Sequence, residues 1–205
     1  MRFTYHGQQL DGFCHLYNLT WLNERTVELA VAHQFIAGQD DQRAGLEVGN
    51  VLGHYAPREH MVVDRYEPAA WYQIGRQWVE NCDVFDVAGC WPWIVSISTV
   101  EHVGFDTPPF ADGASARAID HLRRQLAPGG TALITFPLGY NPALDALVAA
   151  GATGAARWAT LVRSSAEEWI ETATPTVLPY GSLDRWAASV FIGEFSHLAT
   201  DAKGD

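Results

Sequence analysis

The sequence has few cysteines, no long hydrophobic run and no apolar leader. Its three cysteines, Cys14, Cys82 and Cys90, form no CxxC pair, and an odd number does not close a disulfide framework. Residues 1–6 lack the apolar segment of a signal peptide. No stretch approaches the roughly 20 apolar residues of a membrane span. We therefore expect a soluble, cytoplasmic protein with reduced thiols and no membrane partner.

Basic residues are also scarce. The chain carries 13 Lys and Arg against 24 Asp and Glu, which gives a formal net charge of -11 at pH 7. Proteins that bind nucleic acid usually have the opposite balance, because Lys and Arg contacts to phosphates supply much of the affinity. No run of Lys or Arg is present. Nucleic acid is therefore not an expected partner, and a small neutral or hydroxylated molecule fits better.

Apolar residues, by contrast, are plentiful. Hydrophobic residues make up 48% of the 205-residue chain and aromatic residues 12%. This composition supplies one sizeable core, and the length is short for two ordinary domains. We predict a single domain over residues 1–205.

Short β-branched runs alternate with helical patterns along the chain. Seven segments are predicted as strands: 44–48, 61–64, 82–87, 93–98, 131–136, 157–163 and 187–195. Helices are predicted over five others: 18–37, a short one over 74–79, 114–126, 141–150 and 166–172. This alternation predicts an α/β fold with a seven-stranded, mostly parallel sheet and helices on both faces. Ligands of such sheets bind beyond the carboxyl ends of the strands, so the residues after each strand are the candidate site residues.

The first predicted strand leads into a turn with two glycines, Gly49 and Gly53, within the sequence Leu-Glu-Val-Gly-Asn-Val-Leu-Gly at 46–53. Glycine lets the backbone approach a ligand closely. The segment is not the G-x-G-x-x-G fingerprint of dinucleotide binding, because no glycine lies between these two. It resembles the E/D-x-G-x-G-x-G first motif of class I S-adenosylmethionine-dependent methyltransferases, with Val51 at the central glycine.

Four further segments follow in the order found in that family. Asp64 closes the second strand, and Asp83 lies at the predicted third strand. A Glu-His-Val segment at 101–103 follows the fourth strand, and a Pro-Gly-Gly turn at 128–130 leads into the fifth. The resemblance spans residues 46–136 and implies a Rossmann-like methyltransferase sheet with an antiparallel last strand.

The resemblance also implies S-adenosylmethionine as the cofactor. In that family the acid after the second strand binds the ribose hydroxyls and the acid after the third binds the adenine amino group. These roles fall on Asp64 and Asp83, with Asp86 as the alternative to Asp83. The implied cofactor-binding residues are Glu47, Gly49, Asn50, Gly53, Asp64, Arg65, Asp83, Val84 and Ser98. The domain would then comprise a helical N-terminal lid over 1–43, a cofactor-binding core over 44–140 and an acceptor-side segment over 141–205.

His102 and Glu101 are the candidate catalytic residues. Methyl transfer to a hydroxyl requires removal of its proton, and the ordinary pKa of histidine suits that task. A purely structural role of the Glu-His-Val segment is the alternative. A second route is a magnesium ion held by Glu101, His102 and Asn141, as in metal-dependent catechol-type O-methyltransferases.

Segments 46–55, 63–67, 96–104 and 136–141 are also similar to small methyltransferases of bacterial glycan pathways, such as those of mycobacterial methylmannose polysaccharides. This similarity implies O-methylation of a small-molecule acceptor, a sugar or oligosaccharide. Three alternatives remain open: an N- or C-methyltransferase of a natural product, a nicotinamide-dependent oxidoreductase, and a catalytically silent cofactor-binding module. The aromatic content is compatible with a homodimer.

Overall fold

The structure is a computed structural model that describes residues 1–67, 70–72, 77–106, 108–172, 174–181 and 186–198. Its strands are β1 Arg2–Tyr5, β2 Gln8–Asp11, β3 Leu46–Val48, β4 Met61–Asp64, β5 Ala70–Tyr72, β6 Gln77–Asn81, β7 Trp91–Ile97, β8 Leu126–Pro137, β9 Arg157–Ser165, β10 Glu168–Thr172 and β11 Ser189–Ser196. Its α-helices are α1 Arg25–Ala37, α2 Ala114–Arg124 and α3 Pro142–Ala149. Within these ranges no helix is long and apolar enough to cross a membrane.

One large sheet organises the fold. Nine of the described strands join it in the order β10-β9-β11-β8-β7-β3-β4-β6-β5, and β1 and β2 form a separate hairpin. The central strands β8, β7, β3, β4 and β6 run parallel. Antiparallel pairing begins at β11, which lies between β8 and β9, and recurs at both edges. The predicted α/β class, mostly parallel centre and antiparallel last strand are confirmed, with nine strands in place of seven.

Three predictions of secondary structure were wrong. Residues 77–79 of the helix predicted over 74–79 belong to the strand β6, and residues 74–76 lie outside the described ranges. The helix predicted over 166–172 is the strand β10, in which Trp169 is buried and Ile170 exposed, the two-residue alternation of a half-buried strand. The strand predicted over 82–87 is a turn with a short 3-10 helix, Val84–Asp86, and the third parallel strand precedes it as β6. The Asp83 carboxylate accepts the Phe85 backbone N–H, a local bond that favours a turn over an extended strand.

Helices cover both faces of the sheet, as predicted. On one face α2 and α3 pack through Ile119 and Leu144 against residues that include Ile94 of β7. On the other face α1 packs with the β1–β2 hairpin, and Leu29 joins Val95 of β7 in a second core. Ile94 and Val95 enter different cores because successive side chains of a strand point to opposite faces.

The N-terminal segment is divided into two parts. A 3-10 helix, Tyr17–Leu22, precedes α1, and the predicted helix over 18–37 is interrupted where Asn18 and Leu19 have positive φ angles of 57° and 44°. Backbone in this left-handed region does not continue a helix. Asn23, which is extended with φ -141° and ψ -178°, then separates Tyr17–Leu22 from α1, which packs on the sheet.

The connection from β3 to β4 is a compact turn without an α-helix. It contains the 3-10 helix Leu52–His54 and begins at Gly49, whose φ angle is +83°. A Cβ atom at this position would lie 2.1 Å from Thr99 Oγ1, so the close approach of the two loops requires glycine. The loops after β3 and β7 therefore face each other at the carboxyl edge of the sheet.

Candidate functional site

A cavity of about 300 Å³ opens beyond the carboxyl ends of β3, β4, β6 and β7. Ligands of open α/β sheets bind at this edge. Eight of the residues that the sequence singled out line the cavity: Gly49, Asn50, Asp64, Arg65, Asp83, Val84, Ser98 and His102. The predicted strand ends thus converge on one site.

Glu47 and Gly53, by contrast, are not among the residues that line this cavity. Glu47 is fully buried, and its Oε1 accepts hydrogen bonds from the backbone N–H groups of Val51 and Leu52 at 2.8 and 2.6 Å. Its Oε2 lies 3.0 Å from His60 Nε2. Glu47 therefore stabilises the turn after β3 from the interior of the protein and does not face the cavity.

Asp64 connects the turns after β3 and β4. Its Oδ2 accepts the Asn50 backbone N–H at 3.0 Å, and its Oδ1 accepts those of Tyr66 and Glu67 at 2.8 and 2.9 Å. A carboxylate has about four lone-pair sites, so three backbone bonds leave capacity for a ligand hydroxyl. Asp64 can hold the shape of the cavity and still accept a hydrogen bond inside it.

Glu67 is a residue of this region that the sequence analysis missed. Its Oε2 accepts the Asn50 side-chain N–H at 2.7 Å, and its Oε1 lies 3.1 Å from His54 Nε2. The Tyr17 ring in turn stacks on His54, with centroids 5.1 Å apart and planes 13° apart. This chain of contacts ties the N-terminal 3-10 helix to the cavity wall at Asn50. The only sequence signal was an acid three residues after Asp64.

An ion pair joins the loops after β4 and β6. Arg65 Nη1 lies 2.8 Å from Asp83 Oδ2, and both side chains remain partly exposed. Asp83 also caps the short helix Val84–Asp86 through its Oδ1. Asp86, the alternative to Asp83, is not among the lining residues. Of the two acids, Asp83 is therefore the one placed to meet a ligand.

His102 is at the other end of the cavity and is held by Asp106. Its Nδ1 lies 2.8 Å from Asp106 Oδ2, to which the Tyr140 hydroxyl also donates a hydrogen bond. Partial burial disfavours the charged form of Asp106, but the hydrogen bonds from Tyr140 and His102 prevail and lower its pKa. An ionised Asp106 keeps a proton on Nδ1, and the neutral imidazole then has Nε2 as its basic nitrogen.

Glu101, the second candidate catalytic residue, does not line the cavity. It is 1% exposed, and its Oε1 lies 3.7 Å from His102 Nε2. Burial raises the pKa of Glu101 well above its usual range, and the nearby Glu28 adds to the effect. Glu101 is therefore behind His102, inside the protein.

Glu28, on α1, ties the N-terminal helix to the carboxyl edge of the sheet, and the sequence analysis missed it. Its Oε1 accepts the hydroxyl protons of Ser98 and Thr135, both at 2.7 Å. Its Oε2 lies 2.5 Å from Arg25 Nη1. The signal in the sequence was a charged residue within the apolar face of a helix.

The residues predicted to hold magnesium do not assemble into a metal site. The Asn141 side-chain amide donates to the Glu101 carbonyl at 2.7 Å and to Ser115 Oγ at 2.9 Å. Its Oδ1 accepts the backbone N–H of Ala143 and caps α3. In the part of the chain that the structure describes, no group of three or more His, Cys, Asp or Glu could hold a metal ion. The magnesium alternative is therefore not supported.

Comparison with known proteins gave structural similarities alone, since no protein-family model and no curated protein matches the sequence. A possible histamine N-methyltransferase from Thermotoga maritima is 14% identical and covers 80% of this chain and 86% of its own, with a TM-score of 0.48. The N-methyltransferase NodS from Bradyrhizobium japonicum, in complex with S-adenosylhomocysteine, is 14% identical, with a TM-score of 0.47, and the match covers 87% of this chain and 95% of NodS. The sugar N-methyltransferase KedS8 from Streptoalloteichus is 13% identical, with a TM-score of 0.44, and the match covers 91% of this chain and 95% of KedS8.

Proposed function

We propose that this chain is an S-adenosylmethionine-dependent methyltransferase that methylates a hydroxyl of a small polar acceptor, with a sugar as the first candidate. One observation carries the proposal. Seven of the nine residues that the methyltransferase motifs implied for the cofactor line a single cavity, and His102 lines the same cavity. The motifs are spread along the chain from Gly49 to Ser98, so their convergence supports a shared ligand.

The cavity wall offers groups that match the parts of the cofactor. Asp64 has acceptor capacity left for a ribose hydroxyl, and Asp83 can accept from the adenine amino group. Val63 and Val84 add apolar surface to the same cavity, suited to a planar base. Bound S-adenosylmethionine would supply an electrophilic methyl group on a sulfonium.

His102 would act as the general base. A hydroxyl is a weak nucleophile, so its proton must leave as the new bond to carbon forms. With Nδ1–H held by Asp106, the His102 Nε2 accepts that proton, and Asp106 stabilises the resulting imidazolium. N-methylation would use the same group, because an ammonium acceptor must also lose a proton before it attacks.

The proposal is tested by calorimetric binding of S-adenosylmethionine and S-adenosylhomocysteine to the wild type, Asp64→Ala and a control, Asp40→Ala. Asp40 is exposed, so its removal leaves the cavity intact. We expect micromolar binding to the wild type and the control, and a loss of roughly tenfold or more in Asp64→Ala. Failure of the wild type to bind either compound would refute the proposal, and binding of a nicotinamide dinucleotide would instead favour the oxidoreductase.

A further inference from the structure

Three buried carboxyl groups cluster between α1 and the loop after β7. Glu24, Glu28 and Glu101 are 7%, 0% and 1% exposed. One guanidinium, that of Arg25, faces them, and Arg25 forms its ion pair with Glu28. Burial raises the pKa of Glu24, and the nearby Glu28 raises it further. The single positive charge of Arg25 cannot neutralise three carboxyl groups.

This cluster lies directly behind the wall of the cavity. Ser98 lines the cavity and donates its hydroxyl proton to Glu28. His102 lines it as well, and its Nε2 is 3.7 Å from the Glu101 carboxyl. The Glu28 and Glu101 carboxyl groups are therefore directly behind two residues of the cavity wall.

Glu101 is the member of the cluster whose carboxyl group is not fully hydrogen-bonded. Its Oε2 is buried and has no hydrogen-bond partner among the described residues. A buried carboxyl oxygen without a partner is unfavourable, and native structures usually avoid it. A cation close to this oxygen would remove the penalty. The unsatisfied atom therefore makes a positive charge near His102 favourable.

Aromatic rings complete the surroundings of His102. The Tyr140 ring centroid lies 5.3 Å from that of His102 and 5.1 Å from that of Tyr180. Tyr180 is also within electrostatic reach of Glu24, Glu28 and Glu101, whose carboxylates, after burial, contribute to a raised pKa of its hydroxyl. Rings next to carboxylates are the surroundings that proteins use to bind ammonium groups.

We propose that the acceptor carries an ammonium group, which binds on the cavity side of His102, with the Glu101 carboxyl behind that histidine and the rings of Tyr140 and Tyr180 beside it. This inference rests on the proposed function, because it names the acceptor class of the same site. An amino sugar or another small polar amine meets the requirement, whereas an uncharged sugar does not. The net charge of -11 favours the approach of such a cation.

The test compares amines with alcohols of matched shape. Wild-type protein saturated with S-adenosylhomocysteine is titrated calorimetrically at neutral pH, at which the amines are mostly protonated, with glucosamine and glucose, and with cyclohexylamine and cyclohexanol. We expect each amine to bind roughly tenfold more tightly than its alcohol. Glu101→Gln should abolish this preference. The control Glu59→Gln should retain it, because Glu59 is exposed and precedes β4 at the opposite edge of the sheet.

The outcomes separate this inference from the proposed function. Binding of S-adenosylhomocysteine without any preference for amines overturns the inference and leaves the methyltransferase proposal standing. No binding of S-adenosylhomocysteine overturns both. In a third result, Glu101→Gln would weaken the binding of S-adenosylmethionine more than that of S-adenosylhomocysteine, which lacks the sulfonium charge, and would leave the preference for amines unchanged. This result would overturn the inference and assign the acidic cluster to the cofactor sulfonium.

A second variant covers the case in which Glu101→Gln does not fold. Tyr180 is 37% exposed, so Tyr180→Leu is tolerated more readily than a change in the buried cluster. Loss of the ring should weaken the amines several-fold and leave the alcohols unchanged. Equal weakening of amines and alcohols would show that Tyr180 contributes only contact area, and would overturn its role in binding the ammonium.

Discussion

His102 Nδ1 and Asp106 Oδ2 lie 2.8 Å apart, and the Tyr140 hydroxyl donates to the same carboxylate oxygen. The pair connects the loop after β7 to the residues that follow β8, because Tyr140 comes shortly after the end of that strand. The contact orients the imidazole and selects its tautomer. It is a positioning arrangement of the kind that supports a general base.

Asp106→Asn should therefore reduce turnover without weakening cofactor binding. The asparagine keeps the shape of the side chain but favours the wrong histidine tautomer, so we expect kcat to fall by roughly 10²-fold or more. His102→Ala should reduce it at least as much. The measurement is the initial rate of methyl transfer to the amine or alcohol that binds best, with calorimetry of S-adenosylhomocysteine alongside.

Asp112→Asn is the matched control for that experiment, since Asp112 is an exposed acid in the segment just before α2. Its rate should equal that of the wild type. An Asp106→Asn enzyme with an unchanged kcat and pH profile would show that Asp106 has no influence on the proton transfer, and a wild-type rate in His102→Ala would remove the histidine from the mechanism.

Asp83 and Asp86 should differ in their effect on the cofactor. Asp83→Ala removes the acid that lines the cavity and the cap of a short helix, so S-adenosylhomocysteine should bind roughly tenfold more weakly. Asp86→Ala should have no effect, because Asp86 is exposed and is not among the lining residues. Calorimetry decides between them, and equal losses in both variants would contradict the assignment to Asp83.

Arg65→Ala tests the ion pair with Asp83 separately. Partly exposed ion pairs contribute at most about 1 kcal/mol to stability, so the free energy of unfolding in urea should change little. Cofactor binding should persist, because the Asp83 carboxylate remains. A loss of binding as large as in Asp83→Ala would indicate that Arg65 itself contacts the ligand.

Gly49→Ala should destabilise the fold and abolish cofactor binding. The alanine would have to keep the left-handed backbone conformation of Gly49, and its Cβ would lie only 2.1 Å from Thr99 Oγ1. Strain and overlap together should cost about 2–4 kcal/mol in the free energy of unfolding. Gly129→Ala is the control, since Gly129 has a similar φ of +81° and no atom within 4 Å of the added Cβ.

The difference between these two variants isolates the overlap with Thr99 from the backbone strain. We expect Gly129→Ala to lose only about 1–2 kcal/mol, the cost of the left-handed conformation. Equal losses in the two variants would show that the loops after β3 and β7 can separate without penalty. Urea unfolding curves measure both values.

The sequence allowed the cavity to be predicted in good part because strand ends can be located from apolar runs. Asp64 and His102 each follow such a run, and parallel strands bring their ends to one edge. Asp83 reached the same edge although it was placed within a strand predicted over 82–87, because the third parallel strand, β6, ends just before it. Glu47 has the same type of position but is directed inward, because the backbone N–H groups of Val51 and Leu52 bind its carboxylate. A linear motif does not indicate which backbone groups will bind an acid.

Contacts between distant segments could not be predicted in this way. Glu28 meets Ser98, 70 residues away, and Thr135, 107 residues away, only after α1 has packed on the sheet. Tyr140 likewise reaches His102 and Asp106 through the order of β7 and β8 in the sheet. The catalytic end of the site depends on these tertiary contacts, whereas the cofactor end follows from local turns.

Glu101 should make the stability of the protein depend on pH. Its pKa is raised in the folded state by burial, so the folded protein holds a proton that the unfolded chain releases above its ordinary glutamate pKa. The contribution of Glu101 to the free energy of unfolding is therefore fully present at acidic pH. It declines as the pH rises from the pKa of Glu101 in the unfolded chain towards its pKa in the folded protein. Glu101→Gln, which is always neutral, lacks this decline.

We accordingly expect the wild type to lose more stability than Glu101→Gln between about pH 5 and pH 8, as measured by urea unfolding at several pH values. Glu59→Gln should follow the wild-type curve, because its carboxylate is exposed. Parallel curves for the wild type and Glu101→Gln would mean that Glu101 is ionised in the folded protein. The carboxyl group would then already have a counter-charge, and a ligand cation would not be needed to supply one.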